Sequence, residues 1–167
     1  MAITIDIENA SGSDEVPPSP SMRRWIRAAL KPYKNDAELS VQIVDQNEML
    51  RINHQFRNKN YASNVLSFPA DIPDFVDIPL LGDIVICADV VNNEARQQQK
   101  TPEAHWAHML VHGSLHLLGY DHINENEAEE MEALETSIIT KLGFPPPYAA
   151  DHSGIDPVTP STRDNQQ

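Results

Sequence analysis

The sequence predicts an α+β fold: a small mixed four-stranded sheet packed with about five helices, with a three-histidine metal site at the end of a long helix. Three observations predict it. Four segments show the two-residue alternation or the short continuous apolar run of strands. Five segments show helical spacing or helix caps, and they interleave unequally with the strands. One of those helical segments leads into His112-Gly113-Ser114-Leu115-His116-Leu117-Leu118-Gly119-Tyr120-Asp121-His122.

Ile3, Ile5 and Ile7 alternate with polar residues and mark the first strand. Val16-Pro17-Pro18-Ser19-Pro20 reads as a linker. Ser21 then stands where it can cap a helix carrying Trp25, Ile26, Ala29 and Leu30, which Pro32 stops. Leu39, Val41, Ile43 and Asp45 alternate as a second strand. From Gln46 to Phe56 the spacing of Met49, Leu50, Ile52 and Phe56 is helical. Asn64-Val65-Leu66-Ser67-Phe68 is a third strand, closed by Pro69. Asp71 to Pro79 is a loop. Leu81-Gly82-Asp83-Ile84-Val85-Ile86-Cys87 is a fourth strand, apolar enough to be central.

Asp89 is placed to cap a helix reaching about Gln99, and a long helix follows from about Pro102 to Leu118, with Pro102 in its first turn. The last helix runs from about Asn124 to Leu142. Its apolar stripe is Ala128, Met131, Leu134, Ile138 and Leu142, and its glutamates at 125, 127, 129, 130, 132 and 135 form a solvated face. Gly143 and Pro145-Pro146-Pro147 end it. Residues 1–148 are thus expected to form one domain, and the polar, proline-dotted residues 149–167 a disordered tail.

The chain has 167 residues, is 40% hydrophobic and has a mean hydropathy of -0.44, which fits a globular protein with a real core. No apolar run approaches the ~18 residues of a membrane span, so no membrane partner is expected. The first residues lack the basic and apolar regions of a signal peptide, and the single Cys87 excludes an internal disulfide. These features predict a cytoplasmic location. A net charge of -13 is unfavourable for binding a polyanion. The positive charge is concentrated, however, in Arg23, Arg24, Arg27, Lys31, Lys34, Arg51, Arg57 and Lys59. Those residues fit either a local basic surface or an ordinary solvated helix face.

Histidines four apart share one face of a helix. A glycine just past the helix end permits a left-handed turn, which brings a third histidine back. His108 and His116 are eight residues apart, about 12 Å along a helix axis at ~1.5 Å per residue. They cannot both lie ~2.1 Å from one ion. The turn at Gly119 favours His112, His116 and His122, and leaves His105 and His108 to packing, hydrogen bonding or support of a ligand. Three nitrogen ligands with an open fourth position suit catalytic zinc best, although nickel, copper or iron also accept such a set. The spacing matches that of metzincin proteases, whose general base is the glutamate after the first histidine. Here that position is Gly113, which cannot take a proton.

The same segment resembles the signature of the YbeY family of bacterial endoribonucleases. Phe56-Arg57 followed by Ser63-Asn64-Val65-Leu66-Ser67-Phe68-Pro69, and the Leu81–Cys87 block, resemble that family too. The resemblance spans about residues 3–148 and implies that the 1–148 domain is a single metal-dependent hydrolase domain. It implies a single-strand-specific, metal-dependent endoribonuclease acting in 16S rRNA 3′-end maturation and ribosome quality control. It implies one zinc per chain on His112, His116 and His122, and Arg57 facing the site as a catalytic residue. The implied partners are single-stranded rRNA and the ribosome or its proteins, with no DNA. The family often has Lys-Pro-Thr-Asp where this chain has Tyr61-Ala62-Ser63-Asn64, which weakens Lys59 and Tyr61 as RNA contacts.

A guanidinium is well shaped to meet charge on a phosphodiester, which fits a role for Arg57. Asp121 is expected either to support His122 or to fix its loop. Asp83 reads as a turn or cap residue, and Cys87 as a small buried apolar residue. Two other readings stay open. One is a zinc metalloprotease-like hydrolase, disfavoured by Gly113. The other is a ribosome-assembly factor whose metal is mainly structural.

Overall fold

The computed structural model describes residues 2–73, 75–121 and 123–148. Along the chain these form β1 (Ile3–Asn9), α1 (Ser19–Leu30), β2 (Ala37–Val44), α2 (Gln46–Arg57), β3 (Val65–Pro69), β4 (Leu80–Cys87), α3 (Ala88–Gln97), α4 (Pro102–Leu117) and α5 (Glu125–Lys141). The strands make a mixed sheet in the order β1-β2-β4-β3. β1, β2 and β4 run parallel, and β3 lies antiparallel to β4 at the edge. The α+β expectation holds. The helix α1 provides the long crossover that parallel β1 and β2 require.

Alternation in the strands decides where the core sits. Ile3, Ile5, Leu39, Val41, Ile43, Ile84 and Ile86 point to one face, where α1 and α4 cover them with Trp25, Ile26, Met109 and Leu110. On the other face α2 seals only the β3–β4 side, through Met49 and Ile52 against Leu66, Val85 and Cys87. Over β1 and β2 that face is left to Thr4, Asp6, Glu38 and Gln42.

The helix α4 is the pivot of the molecule. It packs against α1, α3, α5 and the sheet, and is buried from His105 to Leu115. A helix covered on all sides needs no polar face, which is why Met109-Leu110-Val111 runs unbroken. Two glycines allow its close approach to β3. Gly82 has φ +145°, and a Cβ there would lie 2.3 Å from the Phe68 carbonyl oxygen and 2.9 Å from Leu117. A Cβ at Gly113 would lie 3.1 Å from Ser67 Oγ, and Ser67 Oγ donates to the Gly113 carbonyl at 2.9 Å.

Some helix starts differ from the sequence expectation. The helix α1 begins at Ser19 with Pro20 in its first turn, so Ser21 is an interior residue and does not cap. The fixed φ of proline suits that first turn. Asp89 lies in the first turn of α3 rather than at its cap, where its charge favours the positive end of the helix dipole. Asp45 follows β2 and caps α2 by accepting from the Glu48 N–H at 2.8 Å. The expected tail, residues 149–167, lies outside the described residues. Among the described residues, no helix is long and apolar enough to cross a membrane.

Candidate metal centre

His112 and His116 project from one face of α4, and their Nε2 atoms are 3.1 Å apart. Two nitrogens each ~2.0–2.1 Å from one tetrahedral ion would stand about 3.3 Å apart, so this pair fits a shared metal. The helix stops as its sequence predicts. Gly119 takes φ +105°, its N–H donates to the His116 carbonyl at 3.0 Å, and the Tyr120 N–H donates to the Leu115 carbonyl at 3.1 Å. This is a Schellman closure, which turns the chain back after the second histidine. His122 lies outside the described residues. The placed part of the expected ligand set is therefore His112 and His116.

Behind His112 stands Glu135 of α5, fully buried. The expected all-solvated glutamate face of α5 is corrected here. The buried stripe of that helix is Met131, Glu135 and Ile139, four residues apart, so Glu135 lies in the seam and not opposite it. One carboxylate oxygen bonds the Nδ1 of His112; the other takes the Nε2 of His108 at 3.2 Å and the Tyr148 hydroxyl. Burial pushes this carboxyl up, but the charge of His112 and the hydrogen bonds from His108 and His112 outweigh it and hold it well below the usual carboxylate range. An ionised carboxylate only accepts, so the Nδ1 of His112 carries a proton, which leaves Nε2, facing His116, as the ring nitrogen that could hold a metal. Carboxylates hold metal-binding histidines in this way.

His105 and His108 are not part of the Nε2 pair. Burial lowers the His108 pKa, against the raising effect of Glu135. His105 Nε2 lies 2.9 Å from Glu94, which also accepts from the Asn64 amide at 3.1 Å. This ties α4 to α3 and to the start of β3. The sequence reading of both residues as hydrogen-bonding and supporting groups is met.

Arg57, at the end of α2, reaches the other wall. It donates to the Ser67 carbonyl at 3.2 Å, and its guanidinium lies 5.8 Å from the centre of the Phe68 ring. A cleft of about 280 Å³ is lined by Arg57, Ser67, Pro69, His116, Gly119, Tyr120 and Asp121. Residues far apart in sequence thus share one opening. Asp83 accepts from the Ser40 hydroxyl across β2 and β4. Cys87 is buried in β4, where burial pushes its thiol up.

Glu135 and Tyr148 were missed from sequence. For Glu135, the available signal was its place midway between Met131 and Ile139 at helical spacing. For Tyr148, which follows three prolines, no local pattern announces a partner.

A model of the family described as endoribonuclease YbeY matches residues 6–143. An endoribonuclease YbeY from Pseudomonas savastanoi pv. phaseolicola is 53% identical over 156 residues, covering 93% of this chain and 93% of the relative. Another from Cellvibrio japonicus is 54% identical over 161 residues, covering 95% of this chain and 91% of the relative. Among solved structures, the chain is similar to TM1509 from Thermotoga maritima, determined in solution. The TM-score is 0.56 at 22% identity, covering 93% of this chain and 100% of that one. That likeness bears on the fold. With a matching model over most of its length and relatives more than half identical along it, the chain belongs to the endoribonuclease YbeY family.

Proposed function

We propose that this chain is a metal-dependent endoribonuclease that cuts single-stranded RNA, acting in 16S rRNA 3′-end maturation and ribosome quality control. One zinc ion per chain is held by His112, His116 and His122. The observation that carries the reading is the pair of Nε2 atoms 3.1 Å apart, with His116 opening on the cleft that Arg57 lines. The relatives' name supports RNA as the substrate.

Zinc in such a site supplies Lewis acidity and an acidified water. The chain's own residues do the rest. Glu135 fixes the His112 tautomer, so the ring presents Nε2 and not N–H. Arg57 offers paired N–H donors to the non-bridging oxygens of a phosphodiester, where negative charge grows during cleavage. Its bond to the Ser67 carbonyl and its contact with Phe68 hold the guanidinium at the cleft wall.

A protease reading is weaker still than the sequence made it. Position 113 faces Ser67, Ile84 and Val65, so even a Cβ is tight there and a glutamate would point into the sheet. The assembly-factor reading uses the same residues and is separated only by cleavage itself.

The test is incubation of purified protein with single-stranded rRNA and with an unstructured protein, with and without chelator, beside Arg57→Ala and His112→Ala. The expected result is RNA cleavage that is lost with chelator and in both variants, with the protein substrate intact. RNA cleavage that survives both chelation and His112→Ala contradicts the proposal, as does cleavage of the protein alone. Binding without cleavage favours the assembly-factor reading.

A further inference from the structure

The apolar stripe of α2 runs past the core. Met49 and Ile52 are buried under the sheet, but Phe56, the next residue of that stripe, is 59% exposed. It meets Phe68 edge-to-face, with ring centres 5.6 Å apart. Phe68 in turn carries the guanidinium of Arg57, which lines the cleft. Lys59, exposed, follows two residues later. An open ring next to a cation that lines a cleft, with a second cation two residues along the chain, is the combination by which proteins hold a nucleic-acid strand through base stacking and backbone charge.

The opposite wall carries the same pairing of ring and charge. Tyr120 lines the cleft and meets Tyr33 edge-on at 6.0 Å. Tyr33 is 43% exposed and stands among exposed Lys31 and Lys34. Glu130 acts on Tyr120 from α5, so the charge on this side is mixed. Of the basic residues of the 21–60 segment, Arg57 lines the cleft itself, and Lys31 and Lys34 lie close in sequence to Tyr33, which meets the cleft residue Tyr120.

We infer that Phe56 is a stacking platform for an unpaired nucleobase of the RNA strand, next to the phosphate held by Arg57, with Tyr33 a weaker platform on the far side. This rests on the endoribonuclease reading. A duplex cannot use such a platform, because its base faces are already stacked. Single-strand preference then comes from the ring, while Arg57 and Lys59 bind any phosphate chain. The charge of Arg57 and Lys59 fits a polyanion and not an acid-poor protein partner.

The test is fluorescence anisotropy with the full-length, metal-loaded protein. The probes are a labelled, cleavage-resistant 2′-O-methyl single strand and an abasic strand of equal length and charge. Phe56→Ala weakens binding of the base-bearing strand about five- to hundredfold and leaves the abasic strand unchanged. Phe56→Trp keeps wild-type affinity, Tyr33→Ala loses less than Phe56→Ala, and Phe75→Ala, an exposed ring on the 71–79 loop, loses nothing. Wild-type affinity of Phe56→Ala for the base-bearing strand overturns the platform, as does equal loss on both strands. Neither outcome touches the cleavage reading, which fails separately if the wild-type protein cuts no RNA.

Discussion

Glu135 touches no substrate, yet the chemistry of His112 depends on it. Its two oxygens accept from His108, His112 and Tyr148. In Glu135→Gln one of those oxygens becomes an amide donor facing a donor, so the network breaks although the shape is kept. Zinc affinity is expected to fall about 10- to 100-fold. Competition with a coloured chelator measures it, and unchanged affinity contradicts the assigned role. Position 113 makes a second residue-scale prediction. In Gly113→Ala, about 1 kcal/mol of helix propensity opposes about 1–3 kcal/mol of overpacking, so stability changes little or falls slightly. Gly113→Glu puts a charge against Ile84 and Val65 and is expected to lose several kcal/mol in urea unfolding, without gaining peptidase activity. The histidines were legible because a four-residue repeat followed by a glycine has few other uses. Glu135 was not, because a glutamate among glutamates looks solvated until the packing partner of its helix is known.

At the scale of elements, the burial of α4 makes the protein acid-sensitive. Burial holds His108 below its ordinary value of 6.5. The unfolded chain therefore takes up a proton that the folded chain resists. The stability this contributes is full above about 6.5 and is lost as pH falls below it. Glu135 is shifted below its ordinary 4.5, so its contribution is present above that value and is lost at still lower pH. Metal-free protein is expected to unfold at lower urea at about pH 5.5 than at about pH 7.5, with a flatter dependence in His108→Gln. A midpoint that rises on acidification contradicts this. The approach of α4 to β3 depends on Gly82, whose φ and contact with the Phe68 carbonyl leave no room for a side chain. Gly82→Ala is expected to cost at least about 3 kcal/mol by thermal or urea unfolding. The existence and order of all these elements were legible from periodicity. Their starts were less so, because Pro20 and Asp89 fit a first helical turn as well as Ser21 and Asp89 fit a cap.

At the scale of the molecule, distribution of charge matters more than its sum. A net charge of -13 would argue against RNA, but the end of α2 puts Arg57 in the wall of the cleft, with Lys59 two residues beyond it in the chain. The sequence located the basic segment; only the fold could show that Arg57 of that segment shares an opening with His116. The sheet explains how. Antiparallel β3 at the edge brings the end of α2 beside the end of α4, which joins Arg57 to His116 across some sixty residues of chain. In the proposed mechanism, cleavage, the role of Arg57 and the support from Glu135 all depend on one ion at the histidines. The most direct test is therefore the zinc content of the purified chain by mass spectrometry, for wild type, His116→Ala and His122→Ala. One zinc per chain in the wild type and none in either variant is the expected result. A zinc content unchanged by His116→Ala would contradict it.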